Sequence, residues 1–211
     1  MKILSLDSSS PVASVAFVTV DSLGESDPII SFQSDTPHAR TSSSALFAAL
    51  QQAVTTAGKP DALCVGLGPG SYNGLRAGIA AARGFATALD IPLHAFPSPL
   101  ALPGPASGFW AIGDARGGHY WMAPIKEGLF LKDPLLFSPP DALSHLATQP
   151  AFPIFAAVPL DGIPGVVIAT PDAARLAMLL KKHDPYSLIS GTPEPLYLKP
   201  PHITAPRNLA S

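Results

Sequence analysis

The stretch Gly66-Leu67-Gly68-Pro69-Gly70-Ser71-Tyr72-Asn73-Gly74-Leu75-Arg76-Ala77-Gly78-Ile79, called the glycine motif below, carries the strongest structural signal in this chain. An apolar run at residues 62–67 leads into the motif and predicts a buried strand. Gly68-Pro69-Gly70 predicts a tight turn, after which we expect a helix over about residues 71–89. The motif therefore predicts a strand, a turn and a helix in direct succession.

The predicted helix contains three interior glycines, Gly74, Gly78 and Gly84. Each costs roughly 1 kcal/mol relative to alanine, so their presence requires a structural reason. Gly74, Gly78 and Ala82 recur every four residues and therefore share one helical face. Because this face has almost no side chains, another backbone can come close. The candidates are a helix, a ligand or a partner chain.

Hydrophobic periodicity predicts alternating strands and helices around the motif. In the first half we expect strands at 2–6, 12–20 and 29–33, a helix at about 37–57 capped by Thr36, a strand at 62–67, the glycine-motif helix and a strand at 93–96. In the second half we expect strands at 109–113, 119–125 and 135–137, a helix at 141–147, a strand at 154–157 and a helix at 170–182 capped by Thr170 and Pro171.

Both halves open with the same unit, which is a strand, an Asp-led turn and a returning strand. The two turns begin at Asp7 and Asp114. This repetition predicts an internal duplication, with mixed sheets flanked by helices. Prolines and glycines at 97–105 mark the boundary, so we expect subdomains at 1–100 and 101–211, the second with a proline-rich tail from residue 184.

The composition narrows the class of protein. Apolar residues make up 47% of the chain and charged residues 13%, which suffices for a core and leaves apolar surface for a partner. The net charge of -2, without a basic run, argues against autonomous nucleic-acid binding. The single cysteine, Cys64, forms no disulfide framework and is expected in the core. No apolar run has the length of a membrane span or a signal peptide, so we expect a cytoplasmic protein.

The glycine motif shares a turn before a helix with phosphate-binding and nucleophile patterns, but it matches none of them fully. A glycine turn before a helix N-terminus exposes N–H groups that can hold an anion, here around Gly70 and Ser71. The lysine of a P-loop is missing, and Asn73 interrupts the dinucleotide-binding pattern. The pattern of a hydrolase nucleophile elbow is also not met, so Ser71 is predicted to cap the helix. The alternative to an anion site is a tight turn with a packing face.

Two carboxylates and the histidines are the remaining sources of chemistry. In a duplicated fold, Asp7 and Asp114 can face each other across a cleft, as carboxylates do around Mg-nucleotide in several ATPases. The alternative is turn chemistry, since Asp accepts hydrogen bonds from its own loop. No two histidines are three or four residues apart, so no metal site is expected. The predicted nucleotide or phosphate cleft comprises Asp7, Ser8, Gly70, Ser71 and Asp114.

Three segments, in order and spacing, resemble the TsaB family, also called YeaZ. They are Ile3-Leu4-Ser5-Leu6-Asp7-Ser8-Ser9, the glycine motif, and Asp114-Ala115-Arg116-Gly117-Gly118-His119-Tyr120. The family patterns are L-x-x-D-T-S, G-P-G-S-F-T-G-L-R-x-G and D-A-R-x-G-E-V-Y. Pro195-Leu196-Tyr197-Leu198-Lys199 is similar to the family's C-terminal P-x-Y-L-R motif. The resemblance covers nearly the whole chain, with Tyr72-Asn73 replacing the usual Phe-Thr.

This resemblance implies an α/β fold of the actin/Hsp70-like (ASKHA) type, built from two related subdomains, and a non-catalytic role. TsaB proteins pair with TsaD, which transfers a threonylcarbamoyl group to adenosine 37 of tRNA, and TsaE is the associated ATPase. The implied partners are TsaD and TsaE, with tRNA contacted only indirectly and no membrane. A homodimer is the alternative when TsaD is absent. The chain is expected to have no cofactor of its own, with ATP or ADP at the partner interface as the alternative.

In the family, the helix after the third strand and the glycine-motif helix contact TsaD. The resemblance implies no catalytic and no metal-binding residue in this chain. The alternative function is an ASKHA-type ATPase or kinase, or a glycoprotease-like peptidase. The missing His-x-x-x-His pair and the missing Asp-x-Gly turn argue against both enzymes. The implied interface residues are His38, Leu46, Leu50, Gly74, Arg76, Gly78 and Ala82.

Overall fold

A computed structural model describes residues 1–21, 27–37, 43–182 and 193–198 of the chain. The elements of its first half are β1 (Lys2–Asp7), β2 (Val12–Thr19), β3 (Ile29–Pro37), α1 (Ser43–Ala57), β4 (Ala62–Gly66), α2 (Tyr72–Leu89) and β5 (Leu93–Phe96). The five strands form the first sheet in the order β3-β2-β1-β4-β5. The helix α1 connects β3 to β4, and α2 connects β4 to β5.

A short 3-10 helix, Ser98–Ala101, connects the first sheet to the second. The elements of the second half are β6 (Phe109–Asp114), β7 (Tyr120–Lys126), β8 (Leu129–Phe130), β9 (Leu135–Phe137), α3 (Pro139–Ala147), β10 (Ile154–Ala156), β11 (Val166–Ile168) and α4 (Ala173–Lys182). Their strands form the second sheet in the order β11-β10-β6-β7-β8, with β9 also paired to β7.

The two sheets repeat one topology. In each, the first strand pairs antiparallel with the second, as β1 with β2 and β6 with β7. The first strand also pairs parallel with a later strand, which is β4 in one sheet and β10 in the other. A further parallel strand, β5 or β11, closes the series. The predicted duplicated ASKHA fold is therefore confirmed, whereas the subdomain boundary at residues 100 and 101 stays a prediction.

Alternation along β1 assigns its side chains to two different cores. Leu4 and Leu6 belong to the cluster beneath α1 and α2. Ile3 points to the opposite face, where it packs with α4. Polar bonds fix α4 there, because the Ser5 hydroxyl donates to the Ala173 carbonyl at 2.6 Å. A helix from the second half of the chain thus covers the first sheet.

The start of each of two helices differs from the prediction. Thr36 and Pro37 lie in β3, where Pro37 is paired with Val12, so neither begins α1. The helix α4 begins at Ala173 rather than at Thr170. Its cap is Asp172, whose Oδ1 accepts a hydrogen bond from the Ala174 N–H at 2.8 Å. Threonine followed by proline was a wrong capping signal at both places, because cross-strand pairing and the Asp172 carboxylate compete with it.

Most other elements agree with the expectations to within a few residues, and Ser71 caps α2 as predicted. The strands β8 and β11 were not predicted, because two or three residues carry too little periodicity. Of the predicted tail, only residues 193–198 are described. Within the described part of the chain, no helix is long and apolar enough to cross a membrane.

Candidate functional site

The glycine face of α2 packs against the chain's own first turn. The Ser8 hydroxyl donates to the Gly74 carbonyl oxygen at 2.9 Å. A Cβ atom on Gly74 would overlap the Ser8 carbonyl oxygen, and one on Gly78 would overlap the Ser8 hydroxyl oxygen. Ala82, on the same face, is fully buried. The predicted close approach is therefore present inside the molecule, and these three residues offer no surface to a partner.

The turn before α2 lies directly on the loop that follows β1. The Ser71 N–H donates to the Ser9 carbonyl at 2.7 Å. A side chain on Gly70 would overlap that same carbonyl group, so glycine is required for the contact. The Ser71 hydroxyl accepts from the Gly74 N–H at 3.2 Å, which satisfies one of the first N–H groups of α2. This part of the motif is used for packing and capping.

The two predicted cleft carboxylates make the same local hydrogen bond. Oδ1 of Asp7 accepts from the Ser9 N–H at 2.9 Å, and Oδ1 of Asp114 accepts from the Arg116 N–H at 2.6 Å. Asp7 also accepts from the Ser9 hydroxyl at 2.6 Å and is fully buried. Asp114 is exposed. Both residues therefore perform turn chemistry, and only the second one reaches solvent.

A cavity of about 320 Å³ lies where the two halves meet. Of the predicted cleft residues, Gly70, Ser71 and Asp114 line it, while Asp7 and Ser8 do not. Arg116 and the nearly buried Trp121 are further lining residues that the sequence did not suggest. The cavity thus combines an exposed carboxylate, a guanidinium group and an indole ring. Its use for a nucleotide or phosphate stays a prediction.

The outer helical face, defined here as the exposed residues of α1 and α2, consists of serine, threonine, glutamine, asparagine and arginine side chains around a small apolar patch. Phe47 is 42% exposed, and its ring centroid lies 6.1 Å from that of Phe85. Ala80 and Gly84 are also exposed. A Cβ atom on Gly84 would meet nothing within 4 Å, so this glycine is on the opposite side of α2 from the packed ones.

Two predicted interface residues of α1 lie in the core. Leu46 is 3% exposed and Leu50 is fully buried, and both pack with β1, β2 and β4. The resemblance implied both leucines at the partner interface, whereas their side chains face the sheet. Arg76, by contrast, is exposed on α2. His38 lies outside the described residues.

The 193–198 segment crosses the start of α2. The Leu196 N–H donates to the Leu67 carbonyl at 2.8 Å, which places the segment beside the end of β4. The Tyr197 ring stacks on the Tyr72 ring with centroids 5.6 Å apart. Arg76 completes the group, since its Nη1 donates to the Tyr72 hydroxyl at 2.6 Å and its Cζ lies 5.3 Å from the Tyr72 ring centroid.

The single cysteine and the metal-ligating residue types are the other candidates for chemistry in the described part of the chain. Complete burial raises the pKa of the Cys64 thiol far above its ordinary value, so this residue is an unreactive core thiol. No group of three or more His, Cys, Asp or Glu side chains is arranged to hold a metal ion among the residues described.

Comparisons with known proteins connect this geometry to a family. Residues 33–102, which include α1 and α2, match the family described as TsaD: tRNA N6-adenosine threonylcarbamoyltransferase. YeaZ from Pseudomonas aeruginosa superposes with a TM-score of 0.70 at 19% identity, covering 93% of this chain and 99% of that chain. A second Pseudomonas aeruginosa structure, of an uncharacterized protein with similarity to peptidase YEAZ, gives a TM-score of 0.67 at 19% identity, covering 94% and 99%. These two likenesses show the fold.

Sequence relatives cover most of the chain. An uncharacterized protein of Mycobacterium tuberculosis is 31% identical over 169 residues, which is 78% of this chain and 76% of that protein. A Mycobacterium leprae protein is 35% identical over 124 residues, covering 53% of this chain and 34% of its own length. The chain belongs to the TsaB (YeaZ) family.

For a TsaB-family chain, two features of the site were missed at the sequence level. Phe47 and Phe85 are apolar residues of α1 and α2, and the contact between their rings joins residues 38 positions apart in the chain. Tyr197 belongs to a motif that was recognised, yet nothing in its spacing indicated Tyr72 as its contact. An aromatic residue beside small residues is the sequence signal for both contacts. The signal does not identify the second ring of the pair, which is known only from the three-dimensional structure.

Proposed function

We propose that this TsaB-family chain is a non-catalytic subunit that binds a TsaD protein and supports threonylcarbamoyl transfer to adenosine 37 of tRNA. The observation that carries this proposal is the outer helical face. Exposed Phe47, half-buried Phe85 and the small residues Ala80 and Gly84 leave two helices of the chain without a covering layer. Such a face fits the close packing of helices from a second protein.

The match to the TsaD family supports this choice of partner. It spans residues 33–102 and so includes both helices of the face. Because TsaD is related to this chain over these residues, TsaD can present an equivalent pair of helices. The two faces can then pack together around a pseudo-twofold axis. A homodimer of this chain would use the same face when TsaD is absent.

The packing of the first turn supports a non-catalytic role. The Ser9 carbonyl and the Asp7 carboxylate are engaged by the chain's own turn and loop. Residues 68–71 therefore occupy the space over the loop after β1 where an incoming phosphate would need backbone N–H groups. A nucleotide, if one is needed for transfer, would lie at the interface with TsaD or come through TsaE.

The proposal is tested by co-expressing the chain with TsaD of the same organism, followed by affinity capture and a tRNA modification assay. We expect a stable complex whose modification activity depends on this chain. Ala80→Glu should abolish capture, because a buried charge at the centre of a helix-helix contact lacks a partner. Ala147→Glu, an exposed alanine on α3, is the matched control and should bind normally.

The 320 Å³ cavity beside Asp114 and Arg116 favours a second candidate, an ATP-dependent enzyme of the ASKHA class. Turnover of ATP by the purified chain alone, lost in Asp114→Asn, would establish this activity. Incubating the same purified chain with unfolded protein substrates would detect a peptidase activity. Absence of both activities together with TsaD-dependent modification would leave the subunit role as the function.

A further inference from the structure

The start of α2 has an unusual arrangement of aromatic and cationic groups. Tyr197, from the 193–198 segment, stacks on Tyr72 at the first position of the helix. Arg76 lies one helical turn further and bonds the Tyr72 hydroxyl while its guanidinium lies near the ring. All three side chains reach the surface. They form a continuous group at the edge of the outer helical face.

The contact with Tyr72 restricts the orientation of the Arg76 side chain without pairing its charge with a carboxylate. A guanidinium has five N–H donors, and the single hydrogen bond of Arg76 within the described residues uses one of them, at Nη1. The accepting oxygen belongs to a phenol and not to a carboxylate, so this contact is not an ion pair. Burial and, next, the adjacent Tyr72 raise the pKa of Tyr197 above its ordinary value.

The two helices beside this group contribute only positive charge, while Glu194 of the 193–198 segment places a negative charge near Tyr197. The helix α1 contains no charged residue, and the charges within α2 are Arg76 and Arg83. No acidic residue occupies the first turn of α2, whose N-terminal dipole is itself positive. The whole chain nevertheless carries a net charge of -2. Acidic residues are thus kept off these two helices, and the charge complementary to the face is negative.

We infer that Tyr197 is a positioning residue: through Tyr72 it holds Arg76 at the edge of the outer helical face, where the guanidinium binds a carboxylate of the partner protein. This inference rests on the proposed function, since it assigns the chemistry of the TsaD contact. A carboxylate can take two parallel hydrogen bonds from a fixed guanidinium, which lysine cannot provide. Holding the fork in place lowers the entropy lost on binding.

The competing explanation is that Tyr197 only attaches the 193–198 segment to the body of the protein. Leu196 already supplies a backbone hydrogen bond, and Leu198 packs against the core, so the segment has two attachments besides the tyrosine. If attachment were the whole role, removing the Tyr197 ring would change thermal stability and leave the affinity and its salt dependence unchanged.

The test measures the dissociation constant for purified TsaD at several salt concentrations, with thermal melting of each variant as a check on folding. Arg76→Gln should weaken binding about tenfold or more and flatten the salt dependence. Tyr197→Leu should weaken it by about threefold to tenfold and also reduce the salt dependence. Tyr197→Phe keeps the ring and should bind like the unmodified chain. Lys132→Gln, an exposed charge on the second half, is the control for charge loss.

A double variant decides between the two explanations. If Tyr197 acts through Arg76, Arg76→Gln combined with Tyr197→Leu binds no more weakly than Arg76→Gln alone. Additive losses, or normal binding by Tyr197→Leu, would overturn the positioning role while leaving the proposed function in place. Failure of the unmodified chain to bind TsaD would instead remove the proposed function and this inference together.

Discussion

The two halves of the molecule use the same Asp-led turn and give it opposite environments. Asp7 and Asp114 each accept a hydrogen bond from the N–H two residues later. The first turn is fully buried beneath α2, whereas Asp114 and the residues after it are exposed. The difference arises from a later part of each repeat. In the first, α2 follows β4 and lies across the turn; in the second, residues 157–165 form turns between β10 and β11 and leave it open.

This comparison shows that a repeated motif does not imply a repeated role. The glycine motif is what converts the first turn from a surface loop into part of the interior, because its glycines admit the Ser8 and Ser9 backbone. The second turn keeps Gly117 and Gly118 at positive φ with open space around both Cβ positions. Asp114 therefore lines the cavity directly, whereas the first turn reaches the cavity only through Ser9, Ser10 and Pro11, and Asp7 is enclosed by the chain itself.

The largest effect is expected from forcing α2 away from the first turn. Gly78→Leu should destabilise the chain by about 3 kcal/mol or more, because the new side chain would overlap Ser8 and Leu6. We therefore expect loss of folded protein rather than selective loss of a partner. Urea unfolding monitored by tryptophan fluorescence measures this. Gly84→Leu, the same change on the open side of α2, should retain the native transition, and equal damage from both would contradict the packing argument.

A smaller effect should separate the two carboxylates. Asp7→Ala removes the acceptor for two hydrogen bonds in a fully buried turn and should cost about 2–3 kcal/mol. Asp114→Ala removes an exposed acceptor and should cost under about 1 kcal/mol. Chemical denaturation of both variants gives the two free energies of unfolding. Equal values would show that the burial of the first turn has no energetic consequence.

The smallest effect should be a gain in stability from a substitution on the open side of α2. Gly84 lies in the interior of α2 with nothing near its Cβ position, so Gly84→Ala should raise the free energy of unfolding by up to about 1 kcal/mol. The reason is the lower entropy of the unfolded chain and the better helix propensity of alanine. Thermal melting provides the measurement. An unchanged or lowered melting temperature would contradict the open space at the Gly84 Cβ position in the chain without a partner.

Local pattern was enough to predict most strands and helices, the duplication and the Ser71 cap, since each depends on residues close in sequence. It failed for Thr36, Pro37 and Thr170, where a cross-strand partner and the Asp172 carboxylate outcompete the local signal. The family resemblance, in turn, implied Leu46 and Leu50 at a partner surface although they face the sheet. Periodicity identifies an apolar face without saying what covers it.

What the chain's sequence settled, through its motifs and its alternation, was the family and the two-sheet α/β fold. Only the tertiary structure decided what each sequence feature contacts, and whether it lies in the interior or on the surface. The glycine face of α2 meets Ser8 because β1 and β4 are parallel neighbours, and Tyr197 meets Tyr72 because the 193–198 segment returns to the end of β4. Both contacts join residues far apart in the chain. Such contacts depend on strand order and chain path, which short-range physical preferences do not encode.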